Sequence, residues 1–378
     1  MSVSGVVQNV GPILEVENIV KRFHSTSTTA LAGLSVSVKQ GEFIALVGPS
    51  GCGKTTLLKI IGGFETPDEG RILVGGKDVT TMPPALRPTS MVFQRLALFP
   101  HMSVAENIGF SLKVKQVPVA ERRARIEDMA RLMELDFAYL ERFPNQLSGG
   151  EQQRVALARS MISSPSILLL DEPLTALDFK LKKTLQAELK RLHRQLGVTF
   201  VHVTHDLEEA MILADRICVI NDGRVLQTGE PDDIYYQPHS AFIAQFIGET
   251  NLFDIDVTGI YADEIQYASP TIVDTNRRID GRQVAMNVEV GPAVMMVRPE
   301  RVRLFADDVE AGCRVAVMIN EVFVKGGTIQ YRAVCAVGGM ELIIETPRTR
   351  TLPVELGASI MVSWKNEDVF VFRDGGSA

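Results

Sequence analysis

Short stretches of this 378-residue chain carry side chains suited to phosphate chemistry. GPSGCGKT, residues 48–55, fits the pattern GxxxxGK[ST]; it follows the apolar run FIALV and precedes TTLLKIIGG. Gly48, Gly51 and Gly53 allow backbone N–H groups to converge on phosphate oxygens, with Pro49, Ser50, Cys52 and Thr56 completing the loop. Lys54 then reaches terminal phosphates, and the Thr55 hydroxyl suits Mg²⁺. In SILLLDEP, residues 166–173, Asp171 and Glu172 end an apolar strand, where carboxylates are costly without partners. Mg²⁺ and water supply those partners: Asp171 would hold the metal and Glu172 would orient or deprotonate an attacking water. In LSGGEQQR, residues 147–154, Ser148 and Glu151 have capping-box spacing, while Gly149 and Gly150 expose N–H groups at a helix start able to accept a phosphate.

These residues need a scaffold of strands ending in loops. FIALVG (43–48), SMVFQ (90–94), SILLLDEP (166–173), VTFVHVTH (198–205) and RICVIND (216–222) are near-continuous apolar runs, which predicts strands buried on both faces of a parallel sheet with helices around it. Between residues 103 and 164 the pattern turns helical. Ser103 and Glu106 have capping-box spacing, and Ile126, Met129, Leu132, Met133 and Leu135 recur at helical intervals. After residue 248 short alternating runs are broken by turn residues. Gly338-Gly339 and KNED (365–368) each read as the turn of a hairpin, so the last third is expected to be a small β-barrel.

Composition narrows the function classes. Apolar residues are 46% and charged residues 22%, as in ordinary globular domains, and no run approaches a membrane-spanning length of ~18 residues. The N-terminus lacks a charged region ahead of an apolar stretch, so neither export nor self-insertion is expected. A net charge of −7 gives no support for a nucleic-acid partner. Cys52, Cys218, Cys313 and Cys335 show no metal or disulfide spacing and read as reduced thiols of a cytosolic chain. Cys52 reads as a small residue fitting the loop rather than as a redox switch.

LSGGEQQR, in order with the loop at 48–55 and the DE pair, resembles the signature of ATP-binding cassette ATPases. The resemblance covers about residues 13–245. It implies an α/β P-loop NTPase with a RecA-like core and a helical subdomain at about 99–164, within a cassette domain of 1–245. ATP and Mg²⁺ are the implied cofactors. By resemblance, Phe23 stacks on adenine, Gln94 contacts Mg²⁺ or the attacking water, Asp178 bridges two ATP sites and His205 contacts the γ-phosphate. Catalysis thus falls to Glu172, His205, Gln94 and Lys54, and the metal to Thr55, Gln94 and Asp171. A head-to-tail homodimer is implied, in which Ser148, Gly149, Gly150, Glu151 and Asp178 complete the site of the other subunit.

The segment after Gln94, RLALFPHMSVAENIGFSLK, resembles the surface on which importer ATPases receive a permease, with Leu98, Phe99 and Met102 as exposed apolar contacts; core packing explains the same three residues about as well. IGETNLFDIDV, VRPERVRLF and SWKNEDVFVF resemble the paired oligonucleotide/oligosaccharide-binding-fold tail of importer ATPases, here an all-β TOBE-type regulatory domain at 246–378. GGFETPDEG, VFQRLALFPHM and IGETNLF look most like spermidine/putrescine importer ATPases. Arg95-Leu96 stands where many relatives have Ser-Tyr, a departure facing the permease rather than the ATP. The resemblance implies two membrane permease subunits, a periplasmic solute-binding protein acting through them, and a peripheral place on the cytoplasmic face of a bacterial inner membrane. Maltose, glycerol phosphate, iron or sulfate uptake stays open as an alternative, as does a cassette ATPase outside transport. A P-loop kinase would explain residues 48–55 and Asp171 but not LSGGEQQR.

Overall fold

The computed structural model describes residues 11–23, 28–175, 178–262, 264–274, 278–285, 288–304, 313–348 and 354–373. The chain divides into two compact units, Met1–Pro231 and Asp232–Ala378.

The first unit begins with strands β1 (Leu14–Phe23) and β2 (Thr28–Val38), followed by β3 (Phe43–Val47) and helix α1 (Lys54–Gly62). Strands β4 (Glu69–Val74), β5 (Lys77–Asp78) and β6 (Thr89–Val92) come next. A helical stretch then holds α2 (Val104–Ile108), α3 (Phe110–Val114), α4 (Val119–Leu132) and α5 (Gly149–Met161). The chain returns through β7 (Ile167–Asp171), α6 (Phe179–Leu196), β8 (Thr199–Val203), α7 (Leu207–Leu213), β9 (Arg216–Asn221) and β10 (Arg224–Gly229).

All five expected strands form, as β3, β6, β7, β8 and β9, in a six-stranded sheet of order β10-β9-β3-β8-β7-β6. Every pairing is parallel except β10 with β9. Strands β3, β7 and β8 are buried along their whole length. That is what continuous apolar runs require when helices cover both faces. A second, antiparallel sheet, β2-β1-β4-β5, was not singled out in the sequence; its strands alternate buried and exposed residues and give a weaker signal. Leu14, Val16 and Ile19 of β1 join Leu46, Leu57, Ile61 and Leu169 in one core. In the helical stretch Ser103 caps α2 in a reciprocal capping box with Glu106. Ile126, Met133 and Leu135 are buried, whereas Met129 and Leu132 are half-exposed and Ala130 takes the inner position.

The second unit opens within α8 (Pro231–Tyr236), followed by α9 (Ala241–Ile247). The strands that follow are β11 (Asn251–Ile260), β12 (Glu264–Ala268), β13 (Val273–Asp274), β14 (Arg278–Asp280) and β15 (Gly291–Val297). They continue as β16 (Arg303–Leu304), β17 (Cys313–Lys325), β18 (Thr328–Cys335), β19 (Glu341–Pro347), β20 (Ser359–Trp364) and β21 (Val369–Phe372). They form two antiparallel sheets, β14-β12-β11-β15-β21 and β16-β20-β17-β18-β19, around a shared core that includes Phe253, Met295, Val317, Tyr331 and Trp364.

The Gly338-Gly339 turn joins β18 to β19 as a hairpin, as expected. KNED does not. Strand β20 pairs with β17 and β16 in one sheet, while β21 pairs with β15 in the other, and Asn366–Asp368 is a 3₁₀ turn that carries the chain across. Both strands have inward faces filled by the common core, so a corner satisfies burial where a hairpin would leave one of them outside it.

Candidate functional site

Strand β3 leads into the loop at 48–53, where packing explains Gly48 and Gly53, and a left-handed φ of 83° explains Gly51. A Cβ on Gly48 would lie 2.0 Å from the Ile220 carbonyl, and one on Gly53 would lie 2.4 Å from the Ala30 carbonyl. The loop is thereby pressed against the end of β9 and against β2. Gly53 then starts α1 with a left-handed φ of 103° and no side-chain cap, leaving the first N–H groups of the helix for another acceptor. Lys54 is buried; its Nζ donates to the Gly48 and Pro49 carbonyls at 2.8 Å each and lies 3.5 Å from Cys52 Sγ. Among the described residues no carboxylate pairs with it. A buried ammonium with neutral partners only, beside an uncapped helix start, fits an anionic ligand such as a polyphosphate.

The acidic pair sits where β7 ends. Thr55 Oγ1 donates to Asp171 Oδ1 at 3.1 Å, which joins the loop to the strand. Burial pushes the Asp171 carboxyl up, opposed by the Thr55 bond and reinforced by the negative charge of Glu172. A hydroxyl and one carboxylate suit Mg²⁺, which keeps several waters and takes phosphate oxygens besides a few protein oxygens. No group of three His, Cys, Asp or Glu forms a metal site of its own among the described residues.

Glu172 turns the chain with a left-handed φ of 46°, strained for a residue with a Cβ, while its N–H donates to the Val203 carbonyl at 3.0 Å. Its Oε2 is approached by Gln94 Nε2 at 3.3 Å, His205 Nδ1 at 3.1 Å and Thr175 Oγ1 at 3.2 Å. No described residue donates to Oε1. One carboxylate oxygen is therefore fixed and the other left for solvent or substrate. Ser50, Gly51, Gly53, Lys54, Thr55, Thr56, Glu172 and His205 line a concavity of about 210 Å³.

The structure thus brings the loop, Asp171, Glu172, Gln94 and His205 to one place. Phe23 ends β1 half-buried, with Lys21 Nζ 5.4 Å from its ring centre, and does not line the concavity. Ser148, Gly149, Gly150, Glu151 and Asp178 also lie outside it, but together. Ser148 caps α5 in a reciprocal box with Glu151, whose carboxyl is held below its usual range by the bonds from the Ser148 N–H and hydroxyl. A Cβ on Gly150 would meet Leu181 at 2.7 Å, and the Leu181 N–H is the donor that Asp178 Oδ1 caps at 3.1 Å. The starts of α5 and α6 form one edge. Leu98, Phe99 and Met102, expected as exposed contacts, are half-buried; the Phe99 ring packs on Phe110 with 4.7 Å between centres. Folded back on α3, that ring serves the subdomain's own packing.

Sequence reasoning missed the support around His205. His202 Nε2 lies 2.7 Å from Glu209 Oε1 in full burial, Thr204 Oγ1 donates to Glu209 Oε2 at 3.2 Å, and Lys182 Nζ binds Asp206 and lies 3.6 Å from Glu209 Oε2. Burial opposes ionisation of Asp206, but the Lys182 and Glu209 N–H bonds outweigh it and hold its carboxyl below the usual range. The spacing of Asp206 and Glu209, a helix cap three residues before a glutamate, was the available signal.

Comparison with known proteins agrees with this geometry. The ABC transporter family matches residues 31–175 and the TOBE domain matches residues 295–372. The chain is 43% identical over 374 residues to the spermidine/putrescine import ATP-binding protein PotA of Thermobifida fusca, covering 95% of this chain and 93% of that protein. It is 43% identical over 357 residues to the PotA of Marinobacter nauticus, covering 93% of each. Among solved structures, the dimeric ATP-binding cassette MJ0796 in a post-hydrolysis state with ADP and Pi is 33% identical with a TM-score of 0.52, covering 58% of this chain and 98% of that one. The protein cbiO1 of Clostridium perfringens, part of the transporter complex cbiONQ, is 30% identical with a TM-score of 0.55, covering 59% and 90%. A phosphate loop, an acidic strand end and a signature helix in this order, on a chain so similar over its length, leave one assignment: the protein belongs to the ATP-hydrolysing subunits of ATP-binding cassette transporters that carry a C-terminal TOBE domain.

Proposed function

We propose that this chain energises import of a polyamine, spermidine or putrescine, by hydrolysing Mg·ATP as a homodimer bound to two permease subunits on the cytoplasmic face of a bacterial inner membrane. The observation that carries the reading is that Lys54, Thr55, Glu172 and His205 line one concavity, with Asp171 bonded to Thr55 and Gln94 to Glu172 at its edge. The polyamine assignment rests on 43% identity to spermidine/putrescine import proteins over most of the chain. We read residues 1–245 as the cassette and 246–378 as the regulatory domain.

In this reading Lys54 and the α1 N-terminus bind the phosphates, Thr55 and Asp171 hold Mg²⁺, and Gln94 reaches the same metal or the attacking water. The metal would neutralise charge gathering on the phosphates during transfer. Glu172 takes a proton from water at Oε1 while Oε2 stays held, and His205, with Nδ1 directed to Glu172, offers Nε2 to the γ-phosphate. The edge formed by Ser148, Glu151 and Asp178 closes the site of the second subunit, so ATP binding draws two chains together and hydrolysis lets them part. A groove lined by Met102, Ala105, Gly109, Phe110 and Ile126, with Glu106, Lys113 and Arg122 also in its wall, would give an amphipathic permease helix a seat. Among the described residues no helix is long and apolar enough to cross a membrane, which fits a peripheral subunit.

The test is uptake of labelled putrescine, spermidine, maltose, glycerol phosphate and ferric iron by cells whose only copy is native or Glu172→Gln. Loss confined to polyamines is expected. Loss of a different solute would keep the ATPase and discard the polyamine, and unchanged uptake throughout would count against a transport role for these solutes.

A further inference from the structure

The loop that carries Gln94 leaves β6 and runs through residues 95–99 without regular structure. Two side chains from the helical stretch hold it. Asn107 of α2, fully buried, accepts the Phe99 N–H at 2.8 Å and donates to the carbonyls of Phe99, Met102 and Ser103 at 3.1 Å each. Arg159 of α5 donates Nη1 to the Ala97 carbonyl at 2.7 Å and Nη2 to the Leu96 carbonyl at 2.8 Å. Its guanidinium also lies 5.5 Å from the centre of the Phe99 ring. Ala97, whose carbonyl is one of these anchors, has a left-handed φ of 48°, a strained conformation for an L-residue with a Cβ. Burial lowers the Arg159 pKa, and no described carboxylate offsets that cost. The side chain is thus committed to two consecutive carbonyls of a strained turn.

The same helix begins at the Ser148–Glu151 box. Its 13 residues make a stiff rod of about 20 Å, with the signature edge at one end and the grip on the Gln94 loop at the other. Gln94 Nε2 in turn lies 3.3 Å from Glu172 Oε2. We infer that Arg159 is a positioning residue for Gln94: its two-pronged hold on Leu96 and Ala97 carries displacements of α5 into the loop that sets Gln94 against Glu172. A lysine has one donor centre where this turn needs two, so charge alone does not suffice. The inference rests on the ATPase reading above and adds to it a route from the signature helix to the chemistry.

A double-mutant cycle on the full-length chain tests it, with steady-state turnover of Mg·ATP for Gln94→Ala, Arg159→Gln and both together. Arg159→Gln is expected to lower kcat about tenfold or more, the scale of a misplaced catalytic group, with KM for ATP nearly unchanged. In the Gln94→Ala background it should cost nothing further, because a residue acting through Gln94 has nothing left to position. Arg159→Lys should recover part of the rate, and it carries the same cycle if Arg159→Gln does not fold. Native kcat in Arg159→Gln, multiplicative losses in the double variant, or a loss confined to KM would each overturn the proposal. Native kcat in Gln94→Ala would overturn the reading of the site itself, before Arg159 is touched.

Discussion

Replacing Glu172 by glutamine tests the chemistry at its centre. In the native site Oε2 is held by Gln94, Thr175 and His205 at 3.1 to 3.3 Å, while no described residue donates to Oε1, the oxygen that would receive the proton in the proposed reaction. Glutamine has the same size, and its amide oxygen in the Oε2 position keeps the same donors. Its NH₂ then occupies the Oε1 position, a donor where an acceptor is needed. A positioned general base contributes about 10²- to 10⁴-fold. At 1.36 kcal/mol per decade the barrier should rise by about 3–5 kcal/mol. In the proposed function the nucleotide is gripped by Lys54, Thr55 and the loop rather than by Glu172, so its affinity should stay within a few-fold of native. Turnover measured as ADP released at saturating Mg·ATP, beside a titration with a fluorescent ATP analogue, separates the two effects. Lys54→Ala is the contrast, and should lose affinity as well as rate. Residual turnover above a tenth of native in Glu172→Gln, with binding intact, would refute Glu172 as the base.

Asp171→Asn should stabilise the nucleotide-free chain while weakening its response to Mg·ATP. Burial raises the Asp171 carboxyl pKa, so its ionised form disfavours the folded state progressively as pH rises above the unfolded value of ~3.9; the gain in thermal midpoint should appear above that pH and vanish below it, and a gain equal at all pH values would contradict it. Lys182→Met should free the segment between β8 and α7, lowering kcat and taking about 1 kcal/mol, roughly 2–4 °C, off the thermal midpoint; unchanged kcat would remove Lys182 from the support of His205. Arg298, almost fully buried, donates to the carbonyls of Tyr235, Ala244, Gly248 and Glu249 and lies over the Tyr235 ring at 4.0 Å. Arg298→Met should leave those carbonyls unmet and cost the second unit about 3–5 kcal/mol, read as a lower urea midpoint; a shift under about 1 kcal/mol would mean that water replaces the guanidinium.

The parallel strands were legible because burial on both faces leaves no polar alternation to confuse: ILLLD and TFVHV are apolar runs ended by chemistry. The capping boxes at Ser103 and Ser148 were legible because they are local, closed within four residues. The crossing at KNED was not, since a turn of that length looks the same whether the strands beside it pair with each other or with distant partners. Phe99 read as surface because nothing local announces that its ring packs on Phe110.

The sequence by itself determined the chemistry of this protein: the phosphate loop, the DE pair and the signature helix are contiguous motifs whose residue types carry their meaning at short range. Tertiary structure alone decided how they act together. Residues distant in sequence, Gln94, Glu172 and His205, meet at one carboxylate oxygen, the other oxygen takes no bond from any described residue, and Lys182 with Glu209 braces the segment beneath. Arg159 reaches back 62 and 63 residues to Ala97 and Leu96, a contact that no local pattern encodes. Hydrogen bonds between side chains or backbone groups far apart in the chain depend on strand order and helix placement, and those are set by burial of the whole core rather than by any motif.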